Sequence, residues 1–215
     1  MNHVLKIEIV SDVSCPWCII GYQTLSVALD RLSPDITAQI AWKPFELNPN
    51  MAVEGQLLTE HLQEKYGSTQ AEIDQARSMI SARGAALGFQ FNFKNDGRIY
   101  NTFNAHRLLY WARQYEQQTQ LKFALFKLYF ERGGNPANHD ELIQTVGMVG
   151  LPAAEARLIL ESDRYAKEVR DEEKKYLAMG IHSVPTFIIN EKHTITGCQQ
   201  VEEFAETLVK IAAEG

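Results

Sequence analysis

Within its first 45 residues the chain writes a strand, a helix and a second strand, and this order constrains the fold more than any later feature. Val4 to Val10 sets Lys6 and Glu8 in alternation with Ile7 and Ile9, the period-two signature of a strand. The turn Ser11-Asp12-Val13-Ser14 follows, and a helix begins near Cys15 with Pro16 in the first turn, where proline's missing N–H has no helical partner to lose. Tyr22, Leu25, Leu29 and Leu32 keep the three-and-four spacing of a buried helix face. Ser33-Pro34 stops that helix, and a second strand runs from about Thr37 to Phe45.

From Asn48 the pattern changes. A turn-rich stretch through Gly55 gives way to helical periodicity over 59–66, 70–87, 101–117, 121–132, 140–149 and 153–160. A charged helix over 164–179 then ends at Gly180. Two β-rich runs, Val184 to Ile189 and His193 to Thr196, are spaced as a hairpin, and Val201, Phe204, Leu208 and Ile211 share one face of a last helix. The order βαβ, helical block, αββα predicts an α/β fold in which residues 1–50 and 161–215 form a sheet domain and 51–160 an inserted helical domain.

Three cysteines in 215 residues are too few for a disulfide framework. Cys15-Pro16-Trp17-Cys18 after a strand and opening a helix is instead the redox form of the C-x-x-C motif. With Pro16 as first helical residue, Cys15 takes the N-cap, where its sulfur is expected to accept from the free N–H groups of Trp17 and Cys18. The helix dipole favours negative charge there by about 0.3–1 kcal/mol, up to ~2 when partly buried, so a depression of roughly one unit in the Cys15 pKa is expected. This makes Cys15 the exposed nucleophile and Cys18 the buried resolving thiol. Two inert buried thiols, or half of a zinc site, are the competing readings. His3, His61, His106, His139, His182 and His193 show no H-x-x-x-H spacing to complete a zinc site, so no metal is expected. Val184-Pro185 places a proline at a strand start, which marks either an edge or a cis bond.

Four ordered motifs carry a resemblance that covers nearly the whole chain. They are Ser11 to Cys18 (SDVSCPWC), Pro44 to Pro49 (PFELNP), Asn101 to Arg107 (NTFNAHR) and Gly180 to Phe187 (GIHSVPTF). Together they resemble the DsbA-like thioredoxin-fold oxidoreductases of the FrnE type. The resemblance implies a thioredoxin-like fold with an inserted all-helical domain, and a cis-proline loop at Val184-Pro185 packed against the Cys15–Cys18 disulfide. That loop would offer backbone groups to an extended substrate. Pro16, Trp17, Val184, Pro185, Asp12, Asn101 and Arg107 are the expected substrate-binding residues, with His106 beside the last two. A helix-capping or solvated role for Asn101, His106 and Arg107 competes with that assignment. Two departures stand out. The buried acid that many thioredoxin-fold enzymes carry six residues before the first cysteine is Ile9 here, leaving solvent, Asp12 or Glu46 as proton routes for Cys18. Cys198 replaces a more usual alanine. It is either an accessory redox thiol or glutathione-capping site, or a small residue filling a small space, and the last reading is preferred.

The expected function is thiol–disulfide oxidoreduction or isomerisation on protein or low-molecular-weight disulfides. The alternatives are a glutathione-dependent transferase or isomerase of the kappa or 2-hydroxychromene-2-carboxylate isomerase type, and a non-enzymatic peptide-binding holdase. No tightly bound cofactor is expected, with glutathione a candidate co-substrate. The formal net charge of −6 argues against a nucleic-acid partner. No apolar run approaches the roughly 20 residues that span a bilayer. The N-terminus lacks a signal-peptide pattern, so a cytoplasmic monomer or homodimer is the expectation.

Overall fold

The computed structural model describes residues 3–214. Strand β1 (His3–Ser11) leads through a turn into helix α1 (Pro16–Leu32) and strand β2 (Ile36–Pro44). β1 and β2 pair in parallel, from His3 opposite Ile36 to Ser11 opposite Pro44. Near the other end of the chain, β5 (Thr186–Ile189) pairs antiparallel with β1, and β6 (His193–Thr196) with β5, giving the sheet order β2-β1-β5-β6. Helix α8 (Ala166–Ala178) precedes β5, and α9 (Val201–Ala213) closes the fold. This is a thioredoxin-like α/β fold carrying a long helical segment.

The alternation read in β1 sorts its side chains between two layers. Leu5, Ile7 and Ile9 join Cys18, Leu25, Phe204 and Leu208 in the core between the sheet, α1 and α9. Val10 packs with Ile188 and Tyr176 on the opposite face, under α8. Each such side chain contributes about 1.5–3 kcal/mol when fully buried. The buried face of α1 is rotated from the expected one. Cys18, Gly21, Leu25 and Ala28 are buried, whereas Tyr22, Leu29 and Leu32 only border the core, because α9 and the sheet approach the helix from two sides.

Between the two halves of the sheet lie α2 (Leu58–Tyr66), α3 (Gln70–Ala86), α4 (Phe103–Trp111), α5 (Gln118–Phe126), α6 (His139–Met148) and α7 (Ala153–Leu160). A two-residue ladder also falls here, β3 (Gln56–Leu57) against β4 (Arg98–Ile99), too short to show a period in the sequence. α4 tightens into a 3-10 turn at Ala112–Tyr115, and α5 widens into a π turn at Lys127–Glu131, so the helices expected over 101–117 and 121–132 are each broken. α4 to α7 share their own core around Leu108, Trp111, Leu125 and Leu142. Phe89, Phe126 and Phe130 from the same segment pack instead into the core beside the sheet. Gln118 joins the two regions: its carboxamide accepts from Trp42 N at 2.8 Å and donates to Trp42 O at 2.9 Å, so the outer edge of β2 is paired by a side chain. No helix among the described residues is long and apolar enough to cross a membrane.

Candidate active site

Cys15 sits between β1 and α1 with φ −95° and ψ 112°, the extended conformation of an N-cap, and Pro16 is the first helical residue. The turn is closed by Cys15 N donating to Asp12 O at 3.3 Å and by Cys18 N donating to Cys15 O at 3.1 Å. The capping bond from the sulfur is not made. Cys15 Sγ is directed instead toward Val184 O, 3.7 Å away, in the loop whose Val184–Pro185 bond is cis. The Ser33–Pro34 bond is cis as well. Cys15 is only 4% exposed, less than expected of an attacking thiol. It nevertheless lines a cavity of about 630 Å³ together with Pro16, Trp17 and Val184, and Cys18 does not.

The electrostatics reverse the simple N-cap expectation. The interaction with the Cys18 sulfur, then burial, then the Asp12 charge hold the Cys15 thiol well above the ordinary thiol range. Burial raises Cys18 too, but the Cys15 S–H, the Lys122 ammonium and the Ser11 hydroxyl outweigh it, so the Cys18 pKa is lowered. The two thiols titrate as a coupled pair, and the Lys122 ammonium favours its first ionisation.

Beneath the pair lies a buried polar cluster that the reading of the sequence only half anticipated. Asp12, 1% exposed, accepts from Leu47 N at 2.8 Å and from Ser14 N at 3.3 Å, and its Oδ1 lies 3.5 Å from His106 Nε2. Burial raises the Asp12 pKa, and His106, Leu47 N–H and Lys122 more than offset it, so the carboxyl lies below its usual range. Asp12 thus supports the turn from within and does not line the cavity. Lys122, 1% exposed, was not anticipated as a site residue: in the sequence it is a charge between Leu121 and Phe123 on a helix, which reads as a solvated position. Its amine faces Ser11 O at 3.4 Å and lies 5.3 Å from the Trp42 ring centre and 5.1 Å from that of Phe126. Burial lowers its pKa to about 8, against the opposing pull of Cys18, Asp12 and Cys15.

Other expected residues fall elsewhere. Asn101 donates to Glu46 Oε2 at 3.2 Å and Pro49 O at 3.1 Å, and accepts from Phe103 N at 2.9 Å, which starts α4. Arg107, 4% exposed, donates to Arg164 O and Asn104 Oδ1, both at 2.9 Å, and to the carbonyls of Ile159 and Ser162. Its donors hold the end of α7, and neither it nor Asn101 lines the cavity. Glu46 pairs with Arg170 on α8, remote in role from Cys18. Glu8 pairs with Lys43 at 3.1 Å and accepts from Tyr176 OH, while Ile9 points into the core as a hydrophobe. Cys198 is half-buried and donates to Trp17 O at 3.0 Å; burial, aided by the Cys18 charge, pushes its thiol up to about 12. Among the described residues no group of three or more His, Cys, Asp and Glu is placed to hold a metal ion.

Comparison with known proteins agrees with this geometry. The model of the DSBA-like thioredoxin domain family matches residues 6–209. The uncharacterized protein YwbO of Bacillus subtilis (strain 168) is 26% identical over 188 residues, covering 87% of this chain and 88% of its own length. The crystal structure of the probable DsbA oxidoreductase SCO1869 from Streptomyces coelicolor superposes with a TM-score of 0.90 at 28% identity, over 98% of this chain and 91% of that one. The fold is shared at lower identity, 12%, with the cytosolic disulfide reductase DsbM from Pseudomonas aeruginosa with GSH, with a TM-score of 0.63 over 97% of this chain and 99% of that one.

Proposed function

We propose that this member of the DSBA-like thioredoxin domain family is a thiol–disulfide oxidoreductase with Cys15 and Cys18 as its redox pair and Cys15 as the attacking sulfur. One observation carries the reading: of two adjoining thiols, Cys15 alone lines the large cavity, and Cys18 lies behind it with Lys122 favouring its thiolate. In the reductive direction Cys15 attacks a substrate disulfide and forms a mixed disulfide. Cys18 then displaces the second thiol and leaves Cys15–Cys18 oxidised. In this reading Val184 O, 3.7 Å from Cys15 Sγ, accepts from an N–H of the incoming substrate.

The substrates in this reading are protein disulfides or small disulfides, including that of glutathione. A glutathione-bound, cytosolic relative of the same fold supports glutathione as partner and a reducing compartment as the place of work. Incubating the Cys18→Ser variant with glutathione disulfide and with scrambled ribonuclease, followed by intact-mass analysis, tests the assignment. Mixed disulfides are expected on Cys15, and none in Cys15→Ser. Full insulin-reducing activity in Cys15→Ser would remove it. Isomerase activity is read in the same experiment, from recovery of native ribonuclease by the wild-type protein.

A further inference from the structure

The cavity that opens at Cys15 has a chemical character the exchange reaction does not require. α3 presents Ile73, Ala76, Arg77 and Ile80 to it, three- and four-residue spacing on one helix face. Trp17, Phe93, Tyr100 and Phe130 supply aromatic wall. In a chain of net charge −6, the lining holds four cations, Lys65, Arg77, Lys94 and Arg98, against one carboxylate, Asp96. Two of these cations serve the fold: Lys65 donates to Leu47 O and Asn48 Oδ1, and Arg98 to Glu54 O and Gly55 O. The other two do not. The Lys94 ammonium has no hydrogen bond or ion pair among the described residues, only its carbonyl accepting from Gly97 N. Arg77 is 13% exposed, and its Nε and Nη2 are buried without any hydrogen-bond partner among the described residues. Among the described residues its one ion pair within 4 Å is with Asp74, 3.9 Å from Nη1 and itself 58% exposed. A buried guanidinium with open donors is costly unless something accepts from it.

We propose that this cavity binds an anionic low-molecular-weight disulfide with an apolar, aromatic body, its acid group on Arg77 and its sulfur at Cys15. The proposal rests on the exchange reaction above and names the substrate class for it. A cavity of about 630 Å³ is of the size that encloses a small organic molecule. The guanidinium matches a carboxylate or sulfonate bidentately, and the aromatic wall takes the ring. The chemistry balances within the pair. The Cys15 thiolate forms a bond to one substrate sulfur and expels the first thiolate; Cys18 attacks Cys15 and expels the second. Two electrons and the two thiol protons pass from the cysteines to the two thiols released.

The test uses reduced protein in single turnover with two reagents, the dianionic 5,5'-dithiobis(2-nitrobenzoate) and the neutral 4,4'-dithiodipyridine. Arg77→Met is expected to slow the dianion at least tenfold and the neutral reagent less than twofold, with Arg77→Lys recovering much of the loss. Equal change with both reagents overturns the proposal while leaving exchange at Cys15 intact. Reaction of both reagents no faster than with Cys15→Ser overturns the redox reading itself. A measurement on the unmodified protein stands if Arg77→Met does not fold. Naphthalene-2-sulfonate is expected to protect Cys15 from iodoacetamide, and 2-naphthol at the same concentration is not; equal protection by the two, or none by either, overturns the proposal.

Discussion

At the scale of single residues, Lys122 is the side chain whose position matters most beyond the cysteines. It brings a cation to a site where the sequence puts Ile9 in place of a buried acid, so the charge beneath the pair comes from α5 and not from β1. Lys122→Met removes the cation that favours the Cys18 thiolate. The first ionisation of the pair, followed by thiolate absorbance, is expected to move up by about one pH unit, with a corresponding loss of exchange rate at pH 7. The same substitution is expected to stabilise the protein. A lysine whose folded pKa is about 8, below its unfolded value near 10.4, opposes folding fully below pH 8, and the opposition fades as pH rises to about 10.4. Urea unfolding of the reduced protein at pH 7 is expected to show a gain of about 3 kcal/mol for Lys122→Met that vanishes above pH 10. No gain at pH 7 would mean that the folded-state pKa is not lowered, the neighbouring Asp12 and the thiols offsetting the burial of the ammonium in full. Cys198 is the converse case: its thiol donates to Trp17 O and is held protonated, which makes it a packing residue. Cys198→Ala is expected to keep the exchange rate within a factor of about two, measured in single turnover with a small disulfide.

Between elements, the tightest constraint lies where α1 crosses the cis-proline loop. A Cβ on Gly21 would stand 3.1 Å from both Pro185 Cγ and Phe187 Cζ and 3.3 Å from Cys198 Sγ. Gly21 therefore sets how closely the helix bearing the cysteines approaches β5 and the turn after β6. Gly21→Val is expected to cost about 1–3 kcal/mol from overpacking, read as a lower urea midpoint at unchanged slope, and to alter Cys15 reactivity by displacing Val184. An unchanged midpoint would show that the loop yields freely. Sequence periodicity identified β1, α1, β2 and the β5–β6 hairpin because each is specified by contacts a few residues apart or by one alternating face. It did not reveal the π turn at Lys127–Glu131 or the β3–β4 ladder, which depend on packing between distant segments. The site divides in the same way. The closeness of Cys15 and Cys18 and the cis bond before Pro185, which define the candidate site, were legible from local motifs. Lys122 and Arg77 were not, because a charged residue on a helix looks solvated until the surface that buries it is known. Asn101 and Arg107 drew attention as polar residues in a motif, yet their donors and acceptors hold backbone in place.

Across the whole molecule, the sheet and the helical segment are joined by a second polar contact at the end of β2. Glu46 takes Arg170 from α8 and Asn101 from the start of α4, and Arg170 also reaches Glu173 at 2.8 Å. One side chain thus ties together the chain after β2, the helical segment and the helix on the far face of the sheet. Burial and the neighbouring Glu173 charge raise the Glu46 pKa to about 7, with Arg170 pulling the other way. A carboxyl whose folded pKa exceeds its unfolded value, near 4.3, binds its proton more tightly in the folded state. Its contribution to stability is therefore greatest below pH 4 and is lost as pH rises from about 4 to 7. The neutral isostere Glu46→Gln keeps an acceptor for Asn101 without the like-charge repulsion from Glu173. It is expected to remove a pH dependence of roughly 1–3 kcal/mol between pH 4 and 7, and to leave the protein more stable than wild type at pH 8. Urea midpoints for both proteins at pH 4.5, 6 and 8 decide the matter. Parallel curves, or a Glu46→Gln protein less stable at pH 8, would show that the ion pair with Arg170 outweighs the cost of burying the charge, and that the junction is held by the charge itself.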